Sequence, residues 1–256
     1  KLTNYVAQSK CRIRLLTVEY DVREEEYEET SVFRMEPASV DLVENLIRIR
    51  FPELRSPDPH IIAEFSGGNA RVAISLAKTV NRGETLSGLK KGDLFRRLFH
   101  QRNEISEELL TVARCCSLVY SFEFENKNGY SSELLVLAGL AGLEPGVFFK
   151  NVKELKRREL LQQRSVWVAI LPHAIANGLA EDALEFIPRH RILDAFLAEG
   201  RERLLRSFAR RLGYLNKSEA AKEIAKAWIA PGGMLGQLEE LDSDRFSWFE
   251  RIAPIA

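Results

Sequence analysis

The segment "EFSGGNARVAISLA", Glu64 to Ala77, determines whether the middle of this chain forms one long helix or two shorter ones. Apolar residues recur at helical spacing on both sides of it, but Gly67 and Gly68 interrupt them. Glycine costs about 1 kcal/mol relative to alanine inside a helix, whereas asparagine is a preferred N-cap residue. We therefore predict that one helix ends at the glycine pair and that a new helix begins near Asn69.

The composition is that of an ordinary folded chain. Of the 256 residues, 45% are hydrophobic and 29% are charged, and Lys+Arg balance Asp+Glu at 37 each. This neutral total argues against nucleic acid as a partner. No run approaches the ~18 to 20 apolar residues that a membrane-spanning helix needs, so we expect no membrane partner.

The cysteines predict a reducing compartment. Only Cys11, Cys115 and Cys116 are present, and their spacing matches neither a disulfide framework nor a CxxC metal site. We therefore predict a cytoplasmic location and no metal site. The first residue is Lys1 and not Met, and we expect the chain to be a piece of a longer protein.

The first 36 residues predict a short β remnant of an α/β domain. "CRIRLLTVEYDV", Cys11 to Val22, has the apolar and β-branched content of a buried strand, and "VFRMEP" predicts a second strand that Pro37 ends. Ser39 or Asp41 can cap the helix that follows, and Pro52 ends that helix.

The remaining sequence predicts a mainly α fold. Residues 37–102 have almost continuous helical periodicity. In residues 131–171, a helix closed by Gly142 precedes the helix "EPGVFFKNVKELKRREL" and then "LLQQRSVWVAIL", a strand pair or a single strand. Helix, turn, helix and β wing together predict a winged helix. The predicted division is 1–36 α/β remnant, 37–102 helical lid bundle, 103–187 winged helix and 188–256 C-terminal helices.

Three stretches, "CRIRLLTVEYD", "GGNARVAISLA" and "ILPHAIANGLA", occur in this chain in an order that is similar to a known architecture. The run from strand through helical lid to winged helix resembles the second half of the nucleotide switch module of STAND-type P-loop ATPases. These relatives of AAA+ machines include bacterial defence and signalling proteins and the NLR and apoptosome families. The resemblance covers roughly residues 11–185.

The resemblance implies specific roles for a few residues. Gly67 and Gly68 would form the lid turn, and Arg71 would be the sensor arginine that reaches the terminal phosphate. His173 would contact the β-phosphate of bound ADP, and Thr17 or Glu19 would occupy the first sensor strand.

The resemblance also implies a cofactor and partners. The cofactor would be ATP or ADP, bound mainly by an upstream nucleotide-binding domain of the same protein, and activation would produce a homo-oligomer in signalling or antiviral defence. The phosphate-binding pattern GxxxxGK[ST] does not occur in the 256 residues. We therefore expect no ATPase activity from this piece alone, identify no catalytic residue, and assign any ATPase activity to the full-length protein.

Each of these assignments has a structural alternative. Gly67 and Gly68 could simply form a turn between helices, with Asn69 as the cap and Arg71 exposed on the polar face. A histidine beside apolar residues, such as His173, is more often a packed and hydrogen-bonded residue than a ligand. A helical interaction scaffold that binds no ligand is a third alternative.

The second helix of the predicted winged helix supports a different function, DNA binding by a transcriptional regulator. Its basic residues are Lys150, Lys153, Lys156 and Arg157. A DNA-binding winged helix would use such residues on phosphates and bases. Glu154 and Glu159 interleave with them, which favours ordinary ion pairs on a solvated face. Further on, "RERLLRSFARRLGYL", Arg201 to Leu215, predicts a surface amphipathic helix.

Overall fold

The computed structural model of this chain describes residues 36–80, 83–100, 107–126, 129–158, 160–170, 173–237, 239 and 241–256. The strand predicted at Cys11–Val22, including Thr17 and Glu19, and most of the second predicted strand lie outside the described residues. Within the described ranges the chain forms 12 α-helices and five short strands, so the mainly α fold is confirmed. The four domain boundaries remain predictions.

Four helices form the first part of the described chain: α1 Val40–Arg50, α2 Asp58–Ser66, α3 Ala70–Ala77 and α4 Lys91–His100. Ser39 is the N-cap of α1, where its hydroxyl accepts a hydrogen bond from the Leu42 amide at 3.3 Å, and α1 ends before Pro52. The helices pack through buried residues that include Ile47, Ile62 and Leu76.

The glycine pair separates two helices as the sequence predicts. Helix α2 ends at Ser66, and Gly67 and Gly68 have φ values of 56° and 82°, which glycine adopts without steric cost. The Asn69 side chain then accepts hydrogen bonds from the amides of Arg71 at 3.0 Å and Val72 at 3.1 Å. The predicted start of a helix at Asn69 is confirmed.

The next part of the chain combines three helices with a small antiparallel sheet. Its elements in chain order are α5 Glu107–Ser117, β1 Phe122–Glu123, β2 Glu125–Asn126, β3 Gly129–Tyr130, α6 Ser132–Ala141, α7 Pro145–Arg157, β4 Leu161–Arg164 and β5 Trp167–Ile170. The main sheet has the strand order β1–β5–β4, while β2 and β3 form a separate hairpin. Gly142, with φ 67°, caps the end of α6 as predicted, and "LLQQRSVWVAIL" forms a strand pair.

The chain then continues as helices: α8 His173–Phe186, α9 Arg189–Leu197, α10 Glu202–Leu212, α11 Glu219–Ile229, α12 Ser243–Ile252 and a 3₁₀ turn at Ala253–Ile255. Helix α8 connects the two preceding parts because it packs against both α2 and α5. Gly178 of α8 lies under the ring of Phe95 in α4, where an added Cβ would fall 2.6 Å from the Phe95 Cζ atom. A side chain at this position would therefore have to displace the Phe95 ring.

The prediction that Arg201 to Leu215 forms a surface helix is wrong. Helix α10 buries Leu204, Phe208 and Leu212 completely. Its Ser207 carbonyl accepts a hydrogen bond from the Tyr120 amide at 3.0 Å, and its Ser207 hydroxyl donates one to the Ser121 carbonyl at 2.6 Å. The apolar stripe is present, but neighbouring elements also bury Ser207, Ala209 and Arg211 on its flanks.

Among the described helices, none is by itself long and apolar enough to cross a membrane. The successive helices α6 and α7 reach the required length and composition only together, and a bend of 96° separates them.

Candidate functional site at the junction of the glycine turn and helix α8

The glycine turn at residues 67 and 68 lies directly against the first turn of α8. A Cβ added to Gly67 would overlap the Cβ of Ala174, the residue after His173. On the other side, a Cβ added to Gly68 would lie 2.7 Å from Pro37 Cβ, and the Gly68 carbonyl accepts a hydrogen bond from the Ala38 amide at 3.2 Å. The fold thus brings the predicted lid turn to the predicted histidine turn.

The amides that begin α3 are satisfied within the chain. The Asn69 side chain accepts hydrogen bonds from the amides of Arg71 and Val72, as the structural alternative requires. Gly67 and Gly68 therefore allow two backbone segments to pack closely together. The amides at the start of α3 bond to Asn69 and are not directed at a ligand. Arg71 is exposed in the first turn of α3, on the edge of this junction.

His173 is the first residue of α8 and is half-buried. Its Nε2 atom lies 3.0 Å from the Tyr120 hydroxyl, and the two rings are stacked with their centroids 4.7 Å apart. Tyr214, which is 51% exposed, lies on the same stack at 6.5 Å from the His173 ring. The imidazole is therefore packed and hydrogen-bonded, and it is held at the positively polarised end of a helix.

Two arginines of α10 lie next to the stacked rings of Tyr120 and His173. The guanidinium carbon of Arg210 lies 3.5 Å from the centroid of the Tyr120 ring. Arg211 is completely buried and donates hydrogen bonds to the Asn177 Oδ1 atom at 2.5 Å and to the Val119 carbonyl at 3.4 Å. Burial lowers the pKa of Arg211 to about 10, so the side chain stays charged at neutral pH.

Sequence reasoning did not identify Arg211 as a site residue, although a signal was present. Residues 204, 208 and 211 follow helical spacing, so Arg211 belongs to the same stripe as Leu204 and Phe208. An arginine inside an apolar stripe is a charged residue at a position that the pattern assigns to the core. Such departures from the local rule concentrate at functional sites.

The charges around Arg211 differ from those around Arg114, which is also buried, and around Arg203, which is half-buried. Arg114 forms an ion pair with Asp182 at 2.6 Å, and Arg203 pairs with Glu133. Among the described residues, Arg211 has no carboxylate partner, and its Nε atom has no hydrogen-bond partner. The contacts of Arg211 with the described residues are therefore hydrogen bonds to neutral groups, the Asn177 side chain and the Val119 carbonyl.

The predicted DNA-contacting residues lie on another element. Lys150, Lys153, Lys156 and Arg157 are all exposed on α7. Glu154 accepts hydrogen bonds at 2.7 Å from both Arg157 and Arg158, and Lys156 donates one to Gln163 at 2.7 Å. Hydrogen bonds from Arg157 in particular lower the pKa of Glu154 to about 2. The Lys153 ammonium lies 4.3 Å from the centroid of the Phe149 ring. Three of the four basic residues thus already have partners within the chain.

In the described ranges, no group of three or more His, Cys, Asp or Glu side chains is placed to hold a metal ion. Cys115 and Cys116 lie in the core within α5, and burial raises the pKa of the Cys115 thiol to about 12.

Comparison with protein-family models, curated proteins and solved structures finds no match to this chain.

Proposed function

We propose that this chain is the regulatory part of a nucleotide-dependent signalling switch of the STAND type. In this proposal, residues 37–102 form a helical lid, and residues 103–187 form a winged helix. Both close over ATP or ADP that an upstream P-loop domain of the same protein binds. The observation that carries the proposal is the packing of Gly67 on Ala174, because it joins the two stretches that would surround the phosphates.

The order of elements from α5 to β5 supports the winged-helix assignment. The helix α5, the strand β1 and the small β2–β3 hairpin precede two consecutive helices, α6 and α7, and the β4–β5 hairpin follows. The last strand, β5, lies between β1 and β4 in an antiparallel sheet. A helix-turn-helix followed by such a hairpin is the arrangement that defines this motif.

Arg71 and His173 have distinct roles in this proposal. Arg71 donates its planar guanidinium fork to the terminal phosphate of ATP, and His173 contacts the β-phosphate of ADP. The two nucleotides would then stabilise different arrangements of the lid and the winged helix. A difference in affinity of a few kcal/mol between the arrangements is enough to shift the population from one to the other. In one of these arrangements the lid and the winged helix would expose a surface through which the protein forms a homo-oligomer. That oligomer would signal, for example in antiviral defence.

Nucleotide binding by the protein that carries the upstream domain tests the proposal. Isothermal titration calorimetry of ADP and ATP should show weaker ADP binding for His173→Ala and weaker ATP binding for Arg71→Ala, each by roughly tenfold. His190→Ala and Arg189→Ala remove an exposed histidine and an exposed arginine elsewhere and serve as controls. Unchanged affinities in both site variants would reject the switch.

The exposed basic residues of α7 favour a second function, binding of duplex DNA by the winged helix. Lys150 and Lys153 are exposed on the helix that a DNA-binding winged helix inserts into the major groove. If this function is correct, the chain binds duplex DNA with an affinity that falls steeply as salt is raised, and Lys150→Gln reduces that salt dependence. Absence of DNA binding at low salt would exclude it.

A further inference from the structure

We propose that the outer face of helix α1 pairs with the same face of a second copy of this chain, in an antiparallel arrangement about a two-fold axis. The outer face consists of Leu42, Asn45, Leu46 and Ile49, with Asp41 and Arg48 along one flank. This pairing does not depend on nucleotide binding, because it uses only residues of the described chain.

The outer face of α1 is apolar but exposed. Leu42 is 62% exposed and Ile49 is 82% exposed, the highest value among the large hydrophobic residues that the structure describes. The opposite face of the same helix is already covered, since Val43 and Ile47 are buried where α1 packs on α2 and α3. Leu42 and Ile49 are seven residues apart, which is the spacing of a seam between two helices. An exposed apolar face of this kind indicates an interaction surface.

The flank of the outer face is self-complementary in charge. Asp41 and Arg48 are also seven residues apart, so they lie on the same side of α1 near its two ends. If Leu42 of one copy is level with Ile49 of the other, Asp41 is offset by only about 3 Å along the axis from Arg48 of the second copy. Arg48 already donates hydrogen bonds to Glu44 at 2.9 and 2.6 Å, but a guanidinium has five donors and can bind a second carboxylate. The two-fold axis repeats this ion pair at the other end of the seam.

Asn45 and the helix dipoles favour the same arrangement. Asn45 is exposed in the middle of α1, next to the two-fold axis of the antiparallel pair. Its side-chain amide is both a donor and an acceptor, so it can pair with Asn45 of the second copy. One polar residue of this kind in an apolar seam fixes the register of the two helices. Antiparallel helices also place the positive end of each dipole beside the negative end of the other.

The length of α1 sets the expected strength of the pairing. The helix has 11 residues and is therefore about 16 Å long. Two such faces bury less than the standard interface of about 1,600 Å². We therefore expect a weak and reversible dimer, with a dissociation constant of micromolar order or above.

Sedimentation velocity of this chain at increasing concentration tests the pairing. We expect a monomer–dimer equilibrium that Ile49→Glu weakens at least about tenfold, because the new carboxylate would be buried in the seam. Leu197→Glu is the matched control, since Leu197 is 45% exposed on α9. It should leave the dissociation constant within about twofold. A chain that remains monomeric up to roughly 1 mM overturns the proposal.

Charge reversal tests the antiparallel arrangement itself. Asp41→Arg places two arginines opposite each other at both ends of the seam, and Arg48→Glu places two carboxylates there. Each variant alone should therefore dimerise more weakly than the unmodified chain. An equimolar mixture of the two variants has an attractive pair at both ends and should associate more tightly than either variant alone. A mixture that associates no more tightly overturns the proposal, and thermal unfolding of each variant verifies that it is folded.

The remaining outcomes separate this pairing from the nucleotide switch. Equal effects of Ile49→Glu and Leu197→Glu would mean that the copies associate through another surface, which overturns the proposal. If the chain is monomeric and Ile49→Glu weakens ADP binding in the longer protein, the outer face contacts the upstream domain instead, which also overturns it. Arg71→Ala and His173→Ala test the switch through nucleotide affinity and leave α1 unchanged, so either conclusion can fail while the other stands.

Discussion

Replacing Gly67 with alanine would test the contact on which the candidate site depends. Gly67 has φ 56°, and an added Cβ would fall closer to Ala174 Cβ than the 3.0 Å below which real Cβ contacts essentially do not occur. The left-handed conformation costs about 1–2 kcal/mol for a residue with a Cβ, and forcing an extra carbon into a packed contact costs about 1–3 kcal/mol. We expect Gly67→Ala to lower the free energy of unfolding by about 2–5 kcal/mol.

Gly142→Ala is the matched control for this substitution. Gly142 also ends a helix with a positive φ, 67°, but an added Cβ meets no atom within 4 Å. This variant should lose only the conformational part, about 1–2 kcal/mol. Urea denaturation followed by circular dichroism measures both variants under the same conditions.

A double-mutant cycle isolates the overlap itself. Ala174→Gly removes the atom that the new Cβ would meet, and alone it costs at most about 1 kcal/mol in helix propensity. In the Gly67→Ala background the same change should restore about 1–3 kcal/mol. If Ala174→Gly restores nothing, or if Gly67→Ala is as mild as Gly142→Ala, the glycine turn does not contact α8 and the candidate site is wrong.

Three further properties can be measured on this chain. Glu133→Gln should lower the free energy of unfolding by about 1–3 kcal/mol in urea, because the partly buried ion pair with Arg203 is lost; unchanged stability would contradict the pairing. Cys115 and Cys116 should resist alkylation at pH 8 in the native protein but react in denaturant, as peptide mass spectrometry can record, because burial raises both thiol pKa values. Glu154 has a pKa of about 2, below its ordinary 4.5, so its stabilising effect is present above pH 4.5 and is lost as the pH falls through about 2. An NMR titration with a midpoint near 4.5 would refute this.

The sequence by itself determined features that depend on neighbouring residues. The sequence predicts the helix start at Asn69 and the helix end at Gly142, and it limits the N-cap of α1 to Ser39 or Asp41, of which the structure shows Ser39. Capping and left-handed backbone conformations involve residues only a few positions apart, so the local sequence is enough. The interior position of Cys115 has a similar origin, since helical periodicity marks one face of α5 as apolar.

Only the tertiary structure decided which of these faces and turns meet. The contact of Gly67 with Ala174 and the hydrogen bond between Tyr120 and His173 join residues far apart in the chain. The periodicity of α10 shows that Arg211 shares a stripe with leucines, but not how completely other helices cover that stripe. Burial of a charge depends on the packing of several elements at once, and no local pattern specifies that packing.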